Sequence, residues 1–233
     1  MPVSLRSGLL LIALLGPLPA LAEPLRAALP GGYRVLSSSA TESFEPALVE
    51  ALAEALGQRA EFVTAVDEAE LQLGARETGA LYYRAVPAAL AATEGGPGSW
   101  SDLRSQPFCV AAGSPYARLV AERFAALPRE YPSAAHALIG LKLGECQAVV
   151  DDQALLADLA TLPEWRRYKR LLPALPEVEQ VLRISTDDAA LQVKVDALIE
   201  RWREEGRLGE LTQQWIDEVA FQAYVLADTL DCH

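Results

Sequence analysis

FCVAAGSPYARLV, residues 108–120, opens as an apolar strand, stops on Gly-Ser-Pro and continues with apolar residues at helical spacing. The pattern predicts a strand ending at Gly113 and a helix with Ser114 as N-cap and Pro115 in the first helical position. Working outward, SPYARLVAERFAALP (114–128) and SAAHALIGLKLGE (133–145) are predicted helices and CQAVVDD (146–152) a predicted strand. Upstream, SFEPALVEALAEALG (43–57) carries Leu48, Leu52, Ala55 and Leu56 at helical spacing with Gly57 as the stop, between predicted strands GYRVLSSS (32–39) and EFVTAV (61–66). Strand and helix in alternation predict an α/β fold built on parallel sheets.

ELQLGA (70–75) and ALYYRAVPAALAAT (80–93) are further predicted extended segments, and EGGPGSW (94–100) then breaks the pattern with three glycines and a proline. This break is the expected boundary between two α/β units. From Ser185 the chain is helical, with Leu191, Val195, Leu198 and Trp202 on one face, a break at Gly206, then Leu208, Leu211 and Trp215. Core packing is the expected role of these tryptophans; a ligand clamp would require them to face a cleft.

The N-terminus, MPVSLRSGLLLIALLGPLPALA, has one basic residue, an apolar core and small residues at Ala20 and Ala22, which reads as a signal peptide over residues 1–22. Its apolar run is shorter than the roughly 20 residues of a membrane span, and Pro17 and Pro19 interrupt it. An exported, periplasmic protein without a membrane anchor is expected. The 233-residue chain holds 20 Lys and Arg against 32 Asp and Glu, a formal charge of −12. That balance disfavours nucleic acid as a partner, since phosphate binding needs a basic surface.

The chemistry concentrates on the same unit. Free amides at the helix start near Ser114 suit a carboxylate or phosphate, and the 146–152 strand delivers Asp151 and Asp152 at its own C-terminal end. Ligands dock at such strand ends in open parallel sheets. An anion-binding helix start beside a carboxylate would hold a zwitterion. The competing role for the acids is to cap the helix beginning at Gln153, but two acids for one cap leave one over. Cys109 and Cys146 lie near the starts of two predicted strands; if those strands are neighbours the side chains meet, and the closed loop stabilises by about 4 kcal/mol. Cys232 is left as a free thiol or an intermolecular partner. Metal-ligand spacing, a phosphate loop and a nucleophile elbow are absent from the sequence, so no enzyme, cofactor or metal is expected.

Three stretches resemble the extracellular solute-binding proteins of family 3, the periplasmic amino-acid receptors of ABC transporters: WSDLRSQPFCVAAGSPYARLV (100–120), LKLGECQAVVDDQALL (141–156) and STDDAALQVKVDALIERWREEGRLGELTQQWI (185–216). The resemblance implies a two-lobed type II periplasmic-binding-protein fold, each lobe a parallel or mixed sheet flanked by helices, with residues 32–94 and 185–233 forming lobe 1 and residues 99–184 lobe 2. It implies that Asp152 holds a ligand ammonium and Ser114 its carboxylate, and it supports a Cys109–Cys146 disulfide. The arginine that clamps the carboxylate in that family is matched by Arg76 or Arg84, with Arg76 preferred for its place after ELQLGA. Lobe 1 departs from the family: SSSATESFEPAL passes almost directly from strand to helix, and the helix between EFVTAV and DEAELQLGA is missing. The implied ligand is an amino acid or related carboxylate, and the implied partner a transporter permease. With a trimmed first lobe, the other reading is an accessory or sensory protein that docks onto another periplasmic protein.

Overall fold

The computed structural model describes residues 23–29 and 44–231. Among them the chain forms β1 (Leu25–Ala28), α1 (Phe44–Ala55), β2 (Ala60–Val63), β3 (Leu71–Ala75) and β4 (Ala80–Ala85). It then forms β5 (Pro87–Ala91), β6 (Pro107–Ala111), α2 (Tyr116–Phe124), β7 (Leu127–Tyr131), α3 (Ala134–Lys142), β8 (Ala148–Asp152), α4 (Gln153–Leu159) and β9 (Arg170–Leu172). The last elements are β10 (Gln180–Ser185), α5 (Ala189–Glu204) and α6 (Arg207–Asp231).

Two five-stranded mixed sheets result, ordered β2-β1-β3-β10-β4 and β7-β6-β8-β5-β9. Each has four strands running in one direction and one antiparallel strand, β10 or β5, inserted between the third and the outermost of them. The inserted strand arrives from the other sheet: β5 follows β4 with only Val86 between them, and β10 follows β9. Register fixes the consequence. Ala85 lies opposite Gln180 and Pro87 opposite Asp152, so the C-terminal ends of the parallel strands in both sheets are turned toward the crossing at Val86.

Several sequence expectations are corrected. The chain leaves the first sheet at Val86, not at 94–100, because that Gly-rich stretch reverses the chain between two strands of one sheet, β5 and β6. It returns before Gln180, so β10 belongs to the first sheet rather than the second. The first described strand is β1, just after the stretch read as a signal peptide, where no strand was expected; its short run with two alanines carries little β signal. The strand expected at 32–39 lies outside the described residues. The passage from that strand into α1, which begins at Phe44, likewise lies outside the described residues. The helix predicted to reach residue 128 ends at Phe124, where Ala125 turns left-handed (φ 53°), and Leu127–Tyr131 becomes β7. That strand is a solvent-exposed edge containing Pro128, a residue confined to edge positions in sheets.

As expected for the first lobe, no α-helix stands between β2 and β3, only a 3-10 turn, Val66–Glu68. Parallel strands on either side of a third are usually joined by a dozen or more residues; here Thr64 to Glu70 suffice. The following Arg76–Gly79 turn lies so close to β10 that a Cβ on Gly79 would stand 2.1 Å from the Ile184 carbonyl oxygen.

One buried cluster runs through both sheets' flanking helices. The inner stripe of α6, Leu211, Trp215, Ile216, Val219 and Ala223, packs with Leu48 and Leu52 of α1, Leu138 of α3 and Leu155 of α4. The Trp215 ring centroid is 6.5 Å from that of Phe44, and Gln213 Nε2 donates to Asp158 at 2.7 Å. α6 therefore grips elements of both lobes. Trp202 and Trp215 are both buried, as core packing predicts.

Candidate ligand-binding site

Asp151 and Asp152 end a strand in which every residue is buried, at 3 % and 1 % exposure. Successive residues of a strand point to opposite faces, so the two carboxylates serve different environments. Asp151 Oδ1 accepts the Asp152 N–H at 2.8 Å, and Asp152 Oδ1 accepts the Tyr116 hydroxyl in a short hydrogen bond. Asp152 occupies the N-cap position of α4 without a side-chain capping bond. The first amide of α4, Gln153 N–H, donates instead to the Val86 carbonyl at 2.8 Å. The capping explanation for the acids thus fails, and the strand end is fastened to the crossing residue between the sheets.

Ser114 is not the N-cap of α2. Pro115 is the N-cap of α2 and makes no side-chain capping bond. The Ser114 N–H donates to Ala111 O, its Oγ accepts the Tyr116 N–H at 3.3 Å, and its carbonyl accepts the Ala117 N–H. Three peptide units after Gly113 therefore close on themselves, with Pro115 contributing no N–H. Tyr116, fully buried, lies between Ser114 and Asp152 and touches both. The two residues are brought together, but through a side chain of the protein itself.

The other positions fall as follows. Arg76 is exposed just beyond β3, at the strand end turned toward the second sheet, and forms no ion pair among the described residues. Arg84 is engaged with Glu179 in a short ion pair. Cys109 and Cys146 are disulfide-bonded with Cα atoms 5.7 Å apart, joining β6 to the residues that lead into its parallel neighbour β8. Gly140 of α3 lies over this bridge: an added Cβ would meet the Tyr131 ring at 2.6 Å and Cys109 Sγ at 2.9 Å. The Tyr131 hydroxyl bonds Glu145; burial, then that bond and the carboxylate's charge, push the phenol up to about 12. Among the described residues no cluster of candidate metal ligands occurs, and no helix is long and apolar enough to cross a membrane.

No family model matches the chain, and no curated protein does. Solved structures do. An ancestral cationic amino-acid solute-binding protein matches with TM-score 0.61 and 17 % identity over 83 % of this chain and 95 % of its own. An ancestral arginine-binding protein bound to arginine gives 0.57 and 17 %, over 84 % and 99 %. An arginine transport-system periplasmic binding protein from Legionella pneumophila gives 0.55 and 14 %, over 82 % and 99 %.

The chain has the two-lobed periplasmic-binding-protein fold.

Most structures sharing this periplasmic-binding-protein fold with the chain are binding proteins, and one is described as a precursor of cyclohexadienyl dehydratase. The fold also singles out residues that sequence reading missed. Tyr116 is one; its signal was a tyrosine inside the first turn of a helix that follows a strand end. Glu45 is another, 4 % exposed at the start of α1 and accepting the Tyr82 hydroxyl at 3.4 Å. Phe44 beside it lies 5.3 Å from Tyr83 and 6.1 Å from Tyr82, ring centroid to ring centroid. An acid in the first turn of an apolar helix is common enough that sequence alone gives Glu45 no distinction; its burial does.

Proposed function

We propose that the chain is an exported periplasmic receptor that captures a small solute bearing an ammonium group, an amino acid or related carboxylate, and delivers it to an ABC transporter without chemical change. The observation that carries this reading is the buried Asp152 carboxylate at a strand end beside Val86, where open parallel sheets bind ligands. Support comes from fold neighbours described as bound to arginine, glutamine and L-glutamate. In this reading Asp152 receives the ammonium, Tyr116 orients the carboxylate, and Arg76 meets the ligand's own carboxylate. Ser114 steadies Tyr116 through its Oγ. Residues 1–22 act as the cleaved export signal.

Calorimetry on ligand-stripped protein against a panel of amino acids tests it. One zwitterion binds, and Asp152→Asn lowers its affinity at least tenfold; silence across the panel overturns the reading.

A second reading is favoured by α6, which joins α1 to α3 and α4 and so opposes the lobe motion a transport receptor uses. There the fold serves as an accessory or sensory protein that docks onto a periplasmic partner. Recovery of the permease, and of no other protein, in a cross-linked complex excludes it.

A further inference from the structure

The outer face of α6 has a pattern of its own. Phe221, Tyr224 and Val225 are exposed by 60 %, 57 % and 42 % on a helix whose opposite stripe is fixed in the core. They fall at i, i+3 and i+4, one continuous surface of the helix. Adjoining Phe221 is a groove of about 550 Å³ lined by Glu210, Gln213, Gln214, Asp217 and Glu218, and Asp228 continues the stripe at i+7. After Arg207 the sequence contains no lysine or arginine.

We propose that this face is a docking surface for a basic amphipathic helix of another protein. An apolar ridge with acids before and after it on the same helix face matches a helix whose own apolar stripe is flanked by Lys and Arg. A second copy of the chain would set Asp217, Glu218 and Asp228 against their equivalents, and like charges across an interface are penalised. An anionic lipid surface is disfavoured by the same charges. Because the inner stripe is packed, the outer one is held in place before any partner arrives, which lowers the ordering cost of association.

The test uses the full mature chain without amino acid, so it is separate from the solute reading. Two synthetic amphipathic helices of equal length, one Lys/Leu and one Glu/Leu, are titrated calorimetrically. The basic peptide binds, the acidic one does not, and binding weakens at least tenfold on moving from about 0.1 M to 0.5 M salt. Phe221→Ser combined with Tyr224→Ser lowers affinity at least tenfold at an unchanged unfolding temperature. Equal binding by the double variant, equal binding of both peptides, or no binding of either overturns the proposal. So does a concentration-dependent dimer in sedimentation that the double variant loses, since the face then belongs to a second copy.

Discussion

The hydroxyl of Tyr116 donates to Oδ1 of Asp152, tying the first turn of α2 to the end of β8. Both residues are buried, Tyr116 at 0 % and Asp152 at 1 % exposure, so the bond operates where a charged acceptor gains most from a donor. Tyr116→Phe removes only the hydroxyl. The expected loss is about 2 kcal/mol in urea unfolding, the range for a hydrogen bond to a charged group; an unchanged midpoint contradicts the assigned bond energy. In the solute reading the same variant also weakens amino-acid binding, because Asp152 loses the group that orients it.

The Cys109–Cys146 bridge closes a sequence separation of 37 residues. Replacing both cysteines by alanine is expected to lower stability by about 4 kcal/mol on the chain-entropy model. Reduction of the native protein should reproduce the shift of the double variant, and reduction of the double variant should add nothing.

Gly140 is expected to tolerate no side chain. Its Cβ would enter the space of the Tyr131 ring and the disulfide sulfur, so Gly140→Ala should cost about 1–3 kcal/mol despite the better helix propensity of alanine. A stabilised variant would mean that α3 shifts away from β6 and β7 freely.

Alkaline unfolding should report on Tyr131. Its phenol is raised to about 12 in the fold, against about 10 in the unfolded chain. The folded state thus holds the proton more tightly, and the stabilisation is complete below about pH 10 and lost as pH rises toward 12. Tyr131→Phe should flatten that part of the stability profile, with urea midpoints measured at each pH.

The grip of α6 on both lobes carries a prediction about motion. Spin labels at Glu54 of α1 and Glu122 of α2, in a Cys232→Ser background, separate the two readings: an unchanged distance distribution on adding amino acid belongs to the accessory reading, in which α6 locks the lobes. A distribution that shifts on binding means that α6 slides with one lobe, as in hinge closure. Trp215→Ala, which empties the contact with Phe44, should cost about 3–5 kcal/mol and broaden the distribution.

Much of the second lobe was legible because its residues obey local rules. FCVAAG alternates into a buried strand, SAAHALIGLK follows helical periodicity, and two cysteines stand at the starts of neighbouring strands. β1 and β5 were harder: LRAA and PAALA are buried largely through alanines, whose small side chains give weak β preference. β7 was invisible because LPREY is mostly polar and exposed, and its place is set by pairing with β6 rather than by an apolar alternation of its own. The lobe crossing at Val86 was missed for a related reason. Nothing in YYRAVPAAL marks a change of sheet, since Pro87 sits comfortably at the first residue of a strand. At the site, Asp152 was legible as a strand-end carboxylate, whereas the closure of the Ser114 amides depended on a turn that only the folded backbone defines.

The placement of β10 has a bearing on the order in which the chain becomes whole. The first sheet stays divided until residues 180–185 slot between β3 and β4, whereas the second sheet, bridge included, needs nothing past residue 172. As the polypeptide emerges N-terminus first, the middle of the protein can be sealed covalently while its beginning still waits for its end.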